Sequence, residues 1–176
     1  MRDYFDGLTA EIHAKAAGIK LLVTDVDGVL TDGGIIYDNA GMEYKRFHVR
    51  DGLIVSHLRK NDILVGAITG RNSKVVRDRC DVLHFDFHYH GVRDKAKKLM
   101  EILETLEISL EEVAFIGDDI IDLPILTRVG LSACPQDAPP YIQEAVDYVS
   151  PLAGGQGAFR QFADCILKAQ GSYRIS

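Results

Sequence analysis

Short runs of apolar, mostly β-branched residues alternate along the chain with segments of helical periodicity. The apolar runs cover residues 19–24, 63–68 and 113–116, and a polar or glycine cluster follows each of them. Unbroken apolar runs of this kind are typical of strands covered on both faces, as in parallel sheets. The helical patterns cover residues 52–60, 73–80, 93–106, 119–129 and 158–169. This alternation predicts an α/β fold, in which βαβ units build a doubly wound, mainly parallel sheet.

One segment interrupts the alternation directly after the first strand. Residues 35–37 and 44–47 are rich in apolar and aromatic side chains and flank the turn-rich tetrapeptide 38–41. The pattern predicts a β-hairpin over about residues 33–47. A hairpin is too small to form a domain, so we predict one domain over residues 1–176 that carries the hairpin as a flap. Because a lone hairpin cannot bury its apolar side chains, we expect hairpins of several subunits to pack together.

Composition and charge exclude several classes of protein. The length of 176 residues suits one globular domain, with 47% apolar and 26% charged residues. A net charge of −6 argues against nucleic acid as a partner. Apolar stretches fall short of the ~20 residues that span a membrane, and acidic residues near the start interrupt any signal-peptide core. Three scattered cysteines are atypical of a disulfide framework. We therefore expect a cytoplasmic protein without nucleic-acid or membrane partners.

Residues that could bind a ligand or take part in catalysis follow the predicted strands. They are Asp25, Asp27, Thr69, Gly70, Lys95, Asp118, Asp119 and Asp122. In an open α/β sheet, ligands bind beyond the carboxyl ends of the strands, so these residues should converge on one edge. Clustered carboxylates repel one another unless a hard cation such as Mg²⁺ neutralises them. A metal, an ammonium, a hydroxyl donor and a free carboxylate together indicate phosphoryl transfer, in which an aspartate can be the nucleophile.

The ordered motifs resemble those of the haloacid dehalogenase superfamily of phosphatases. The matching segments are DVDGVLT at 25–31, ITGR at 68–71, Lys95 and GDDIID at 117–122. The hairpin lies where members with the smallest cap carry theirs. Two further segments, FHVRDG at 47–52 and AGGQGAFR at 153–160, resemble the branch that acts on 3-deoxy-D-manno-octulosonate 8-phosphate, a lipopolysaccharide precursor. The resemblance implies a Rossmann-like sheet, Mg²⁺ dependence, and a homotetramer in which a neighbouring subunit covers each site.

Carried over residue by residue, the resemblance implies a role for each motif position. Asp25 would be the nucleophile and a magnesium ligand, and Asp27 the general acid and base. The backbone carbonyl of Asp27 and the carboxylate of Asp118 would complete the protein ligands of the metal. The residues expected to hold the phosphoryl group are Thr69, Gly70 and Lys95. The residues expected to orient Lys95 or a bound water are Asp119 and Asp122.

The resemblance also implies a set of residues for the sugar acid. They are His48, Val49, Arg50, Asp51, Gly52, Arg71 and Arg79. Arginine forks suit a planar carboxylate, although Arg79 could equally form a salt bridge on a helix surface. The same anchors would suit nine-carbon acid sugar 9-phosphates, which remain the alternative substrates.

Other interpretations of the same residues stay open at this stage. A receiver-type signalling domain also gathers acidic residues, a threonine and a lysine around a phosphorylated aspartate, but its order along the chain would differ. A non-catalytic tetramerisation module is a further alternative. His84, His88 and His90 would share a strand face with Asp86; this spacing could bind zinc but is more typical of ordinary polar positions.

Overall fold

The computed structural model describes residues 4–173, which contain eight strands and seven α-helices. The strands are β1 Leu21–Thr24, β2 Ile36–Tyr37, β3 Glu43–Tyr44, β4 Leu64–Ile68, β5 Phe87–Tyr89, β6 Val113–Ile116, β7 Leu131–Cys134 and β8 Tyr148–Val149. The helices are α1 Ala10–Ala17, α2 Val49–Lys60, α3 Lys74–Leu83, α4 Lys95–Leu106, α5 Leu123–Leu126, α6 Pro140–Gln143 and α7 Ala158–Ala169. The ends of the predicted 1–176 domain, residues 1–3 and 174–176, lie outside the described residues.

Six strands form one sheet in the order β5-β4-β1-β6-β7-β8, and every neighbouring pair is parallel. Helices α1, α2, α3 and α7 pack on one face, whereas α4, α5 and α6 pack on the other. Within β1, Leu22 belongs to the first core, and Leu21 and Val23 belong to the second. Both faces are therefore buried, which explains the unbroken apolar runs. The predicted doubly wound parallel sheet is confirmed.

The hairpin after the first strand is also confirmed. Strands β2 and β3 pair antiparallel, and a single bridge joins Thr31 to Phe47 at the base. The Asp38 carboxylate closes the turn by accepting N–H groups of Ala40 and Met42 at 2.9 and 2.8 Å. The apolar side chains of the hairpin stay exposed, among them Ile35, Ile36, Tyr37, Met42 and Tyr44.

The predicted helix over 119–129 is wrong, because only Leu123–Leu126 is helical there. Before it, the Asp122 carboxylate accepts the N–H groups of Asp118 and Asp119, at 3.2 and 3.3 Å, and this holds the segment in a turn. Pro124 stands near the helix start, where its missing N–H costs nothing, whereas a longer helix would contain it in the interior.

Three further observations bear on the sequence predictions. Cys80, Cys134 and Cys165 are buried and free. No helix within residues 4–173 is long and apolar enough to cross a membrane. His84 does not lie on a strand, since it ends α3 in the left-handed conformation, at φ 56°.

Candidate active site

The strand order places three loops side by side at the carboxyl edge of the sheet. β1 lies between β4 and β6, so Asp25, Thr69 and the Gly117–Asp118 turn leave adjacent strands in one direction. Helix α4 supplies the fourth element. Asp94 caps its N-terminus by accepting the Lys97 N–H at 2.9 Å, so the helix begins at Lys95.

Lys95 is the centre of this group of side chains. Its side chain is fully buried, and Nζ lies 2.9 Å from Asp25 Oδ2 and 2.7 Å from Asp122 Oδ1. Burial opposes the charged ammonium, but the carboxylates of Asp25 and Asp122 outweigh it and raise the pKa of Lys95. The lysine therefore stays protonated and offers positive charge beside Asp25.

Three carboxylates share this buried space. Single ligand oxygens of Asp25, Asp118 and Asp122 lie within 4.8 Å of one another. Burial, together with Asp122, raises the pKa of Asp25 to about 7 despite the nearby ammonium. Burial and the charges of Asp25 and Asp122 raise the pKa of Asp118 to about 8. Oδ1 of Asp118 is buried without a hydrogen bond.

The donor set fits a hard divalent cation. The three carboxylates of Asp25, Asp118 and Asp122 share one ammonium, that of Lys95, so part of their negative charge is not neutralised. Their oxygen atoms are ligands of the type that Mg²⁺ prefers. An ion near Asp118 would satisfy its orphaned oxygen and remove the repulsion that raises both pKa values. Asp122, expected to orient Lys95, does contact Lys95, and it also belongs to the acidic cluster.

Asp27 points away from the acidic cluster and towards the hairpin. Its Oδ1 contacts the ammonium of Lys45, and its Oδ2 lies 3.6 Å from Nε of Arg71. Oδ2 is buried and has no hydrogen bond. The Asp27 side chain is therefore outside the group of carboxylates that could share a metal, and only its backbone could serve as the expected ligand.

Thr69 and Gly70 form the rim after β4. Thr69 is buried, and its Oγ1 accepts the N–H of Arg71 at 3.3 Å, which leaves the hydroxyl hydrogen free to be donated. The backbone of Thr69 is fixed by its N–H bond to the carbonyl of Tyr89, at 2.9 Å. Gly70 is exposed at the rim next to Ile121, and a Cβ there would lie 3.4 Å from Ile121 Cδ1.

The loop that carries both aspartates is braced by close backbone packing. Gly28 has φ +86°, and a Cβ there would overlap the Asp118 carboxylate. A Cβ on Gly154 would overlap the Gly28 carbonyl, and Gly155 donates its N–H to the Val29 carbonyl at 2.9 Å. The glycines of the AGGQGAFR segment therefore have a structural function: they let this segment pack against the loop that follows β1.

The 48–52 segment begins at the surface and ends in the core. His48 caps α2 by accepting the Arg50 N–H at 3.3 Å, and Val49 and Arg50 are exposed. Asp51 is buried and accepts the N–H of Arg160 at 2.8 Å, so it caps α7 from a distant part of the chain. Burial raises the pKa of Asp51 to about 6.

Arg79 lies against that same segment rather than beside the acidic cluster. Its guanidinium stacks 5.6 Å from the centroid of the Phe47 ring. A Cβ on Gly52 would lie 2.7 Å from Arg79 Nη2, so glycine leaves the space that the arginine occupies. Among the described residues Arg79 forms no ion pair, so the alternative of a salt bridge on the helix surface is not observed.

Three other predicted positions have local partners. Asp119 is exposed, and its Oδ1 accepts the N–H of Ile120 at 2.7 Å rather than contacting Lys95. His88 and His90 contact each other at 2.8 Å, and His88 also lies 3.0 Å from Asp81. His88 and His90 are therefore hydrogen-bonded polar residues at the edge of the sheet.

Sequence reasoning missed two residues of the hairpin, Glu43 and Lys45. Both point inward and contact residues of the site, whereas the apolar side chains around them are exposed. A signal was available, because two charged residues at positions i and i+2 of a strand share one face. Their alternation with Tyr44 could have indicated that the hairpin has a polar inner face.

The chain is similar to 3-deoxy-D-manno-octulosonate 8-phosphate phosphatases along nearly its whole length. It is 46% identical to the Escherichia coli (strain B) enzyme of that name over 164 residues, which cover 93% of this chain and 87% of that protein. Residues 89–159 match a family described as haloacid dehalogenase-like hydrolase.

Solved structures of phosphatases with this name or a similar one also superimpose on this chain. The Yersinia pestis phosphatase of that name superimposes with a TM-score of 0.91 at 43% identity, covering 93% of this chain and 89% of the other. The Moraxella catarrhalis enzyme, solved with a magnesium ion, a phosphate ion and the sugar acid KDO, gives 0.90 at 38% identity, with 93% and 94% covered. A cobalt-bound Haemophilus influenzae phosphatase gives 0.87 at 42%, with 90% and 93% covered.

Proposed function

The chain belongs to the 3-deoxy-D-manno-octulosonate 8-phosphate phosphatases, within the haloacid dehalogenase-like hydrolases, and on this premise we propose that it hydrolyses that sugar phosphate. The products are the free sugar acid and inorganic phosphate, formed in the cytoplasm for lipopolysaccharide synthesis. The observation that carries the proposal is the group of Asp25, Lys95, Asp118 and Asp122 at the carboxyl edge of the sheet, in which Asp118 is half-buried and the other three are buried.

Magnesium is the cation that we assign to the acidic cluster. The carboxylates of Asp25 and Asp118 and the backbone carbonyl of Asp27 would hold it, and the Moraxella catarrhalis relative contains this ion. When bound, the ion supplies positive charge that neutralises the carboxylates and attracts the phosphoryl oxygens. The orphaned Asp118 Oδ1 supports this assignment.

The first half of the proposed reaction transfers the phosphoryl group to the protein. An oxygen of Asp25 attacks phosphorus, the bond from phosphorus to the sugar oxygen breaks, and the Asp27 carboxyl donates its proton to that oxygen. Lys95, beside Asp25, contributes positive charge, and the Thr69 hydroxyl donates a hydrogen bond to a phosphoryl oxygen.

The second half releases phosphate. Asp27, now a carboxylate, takes a proton from a water whose oxygen attacks the phosphorus of the aspartyl-phosphate. The bond between phosphorus and Asp25 breaks, Asp25 leaves as a carboxylate, and Asp27 again carries a proton. One acid–base residue therefore serves both halves.

We further propose that the protein works as a homotetramer. The hairpin exposes Ile36 and Met42 by 60% each, and Tyr37 by 58%. Such an apolar surface on a two-stranded flap would be buried by hairpins of neighbouring subunits. The exposed Val49 and Arg50 would then face another subunit, where the 48–52 segment and the arginines at 71 and 79 could complete a site for the sugar acid.

A panel of phosphate esters tests the proposed function. We expect kcat/KM on 3-deoxy-D-manno-octulosonate 8-phosphate to exceed the values on nine-carbon acid sugar 9-phosphates and on neutral sugar phosphates. A higher value on a nine-carbon acid would replace the proposed substrate but keep the reaction. Phosphorylation of the protein without multiple turnovers of any ester would contradict the proposed phosphatase activity.

A further inference from the structure

We propose that Lys45 and Glu43 of the hairpin are positioning residues for Asp27 in the acid–base steps: Lys45 holds Oδ1 and so leaves Oδ2 to face the reacting oxygen. This inference rests on the proposed function, because it assigns a task within that reaction. It gives the hairpin a part in the chemistry of its own subunit.

The burial of Lys45 is the first observation. Its side chain has no solvent exposure, although the apolar side chains of the same hairpin are largely exposed. An ammonium is costly to bury unless it is paired, and this one contacts Asp27 Oδ1 and lies 3.6 Å from Glu43 Oε1. In this hairpin a charged side chain is buried and the apolar side chains are exposed, which is the reverse of the usual distribution, and the buried charge is paired with Asp27.

Glu43 ties the same strand to the loop after β4. Its Oε2 accepts a hydrogen bond from the Ser73 hydroxyl at 2.5 Å, and its Oε1 accepts one from Arg71 Nη2 at 3.0 Å. Arg71 in turn lies 3.6 Å from Asp27 Oδ2. The network fixes Lys45 relative to both loops that surround Asp27, so the ammonium has a defined position.

The two oxygens of Asp27 are consequently unequal. Oδ1 is engaged by Lys45, whereas Oδ2 is buried and has no hydrogen bond. During phosphoryl transfer, the proton leaves Oδ2 for the sugar oxygen as the bond between that oxygen and phosphorus breaks. Lys45 keeps the resulting carboxylate in place, and Oδ2 then takes the proton of the attacking water. A carboxyl free to rotate would lose this alignment.

Single-turnover rates on two esters test the inference. The sugar leaving group needs protonation, whereas p-nitrophenolate does not. For Lys45→Met we expect sugar release to slow by about 100-fold, at the low end of the effect of general acid catalysis. Release of p-nitrophenolate in the first turnover should change less than about 3-fold. Lys45→Arg should recover part of the loss on the sugar ester.

The neighbouring residue provides a matched control. Arg46 also lies on the hairpin and also pairs with a carboxylate, at 2.6 Å from Asp32, but this pair is exposed. Arg46→Met should leave both rates unchanged. Glu43→Gln removes the anchor of Lys45 with almost no change in shape, and it should reproduce the selective loss on the sugar ester even if Lys45→Met fails to fold.

A comparison with Asp27→Asn completes the test. If Lys45 acts through Asp27, the double variant should be no slower on the sugar ester than Asp27→Asn alone. Equal losses on the two esters, or multiplicative losses in the double variant, would overturn the positioning role. A wild-type protein that turns over no acid sugar phosphate would instead refute the proposed function, so the two failures are distinguishable.

Discussion

The carboxylates in and near this site differ in the charge and hydrogen-bonding capacity of the groups that surround them. Burial and neighbouring carboxylates raise the pKa values of Asp25 and Asp118, whereas the Asp27 carboxylate lies between the cations Lys45 and Arg71. Asp51 is buried as well, but its partner is the backbone N–H of Arg160. Residues of one chemical type therefore have different roles according to their contacts.

The nucleophile gives the first prediction at this scale. Asp25→Asn retains the shape of the side chain but removes the attacking oxygen, so turnover of the sugar phosphate should fall by about 10⁴-fold or more. Steady-state kinetics with thermal melting of the same sample measures the effect. Asp78→Asn, at an exposed carboxylate that pairs with Lys74, is the matched control and should keep full activity. Substantial turnover by folded Asp25→Asn would contradict the aspartyl-phosphate mechanism.

Asp51 gives a prediction about pH. Burial raises its pKa from 3.8 to about 6, so the folded state binds more protons than the unfolded state between these values. The stabilisation is complete below about pH 4 and is lost as pH rises through about 6. Asp51→Asn keeps an oxygen for the Arg160 N–H and has no charge. Its stability relative to wild type should therefore rise by about 2–3 kcal/mol from pH 4 to pH 7.

Denaturant unfolding at several pH values, with EDTA present, measures this difference. The comparison with wild type cancels the contributions of Asp25 and Asp118, which titrate in both proteins. Asp78→Asn should show no such trend, because that carboxylate is exposed. A stability difference between Asp51→Asn and wild type that does not change with pH would contradict the buried-carboxylate account.

At the scale of elements, the hairpin has two faces with separate tasks. Glu43 and Lys45 contact the site from the inner face, whereas Ile36, Met42 and Tyr44 are exposed. The turn that joins the strands is closed by Asp38 and does not depend on a partner chain. We therefore expect a variant to lose association between subunits while the hairpin itself still forms.

Replacing Ile36 and Met42 by asparagine and glutamine tests the outer face. Both side chains are 60% exposed, so the polar groups cost little in one subunit but would be buried in the proposed tetramer. Light scattering should show smaller species, and kcat/KM should fall more on the acid sugar phosphate than on p-nitrophenyl phosphate. Val82→Gln, at an apolar residue of α3 that is 68% exposed, is the control. A monomer with full sugar-phosphate activity would contradict the proposed assembly.

At the scale of the whole molecule, the acidic cluster joins the loop after β1 to the loop after the neighbouring strand β6. Without a cation, Asp25, Asp118 and Asp122 repel one another at the point where β1, β6 and α4 meet. Magnesium should therefore stabilise the folded protein, by about 2.7 kcal/mol at a concentration 100 times its Kd. Ion binding displaces protons from groups with pKa values of about 7 and 8, so the apparent affinity should rise with pH across this range.

Thermal melting with EDTA, Mg²⁺ and Ca²⁺ at about pH 6 and about pH 9, roughly one pH unit below the lower value and one above the higher, measures the effect. EDTA should abolish activity, and added Mg²⁺ should restore it. Ca²⁺ prefers more ligands at longer distances, so it should bind without supporting turnover. Asp118→Asn should weaken the effect of Mg²⁺ on the melting temperature. Full activity in Ca²⁺ alone, or a melting temperature insensitive to Mg²⁺, would count against the proposed metal site.

The sequence by itself determined the features that depend on short stretches of chain. The apolar runs identified β1, β4 and β6, and the helix over 158–169 was predicted with its observed ends. The parallel direction of those strands, though not their order in the sheet, then followed from the α/β alternation. Because polar residues that follow parallel strands meet at one edge, the sequence alone places Asp25, Thr69 and Asp118 together.

Only the tertiary structure decided which partner each of these residues has. Asp27 contacts Lys45, 18 positions away, and Asp51 caps a helix through Arg160, 109 positions away. Asp122 was expected at this edge of the sheet, but its contact with Lys95 and its hydrogen bonds from the N–H groups of Asp118 and Asp119 became visible only in the fold. Periodicity reports which face of an element is buried, but the pairing of charged groups depends on the distances between elements that packing sets.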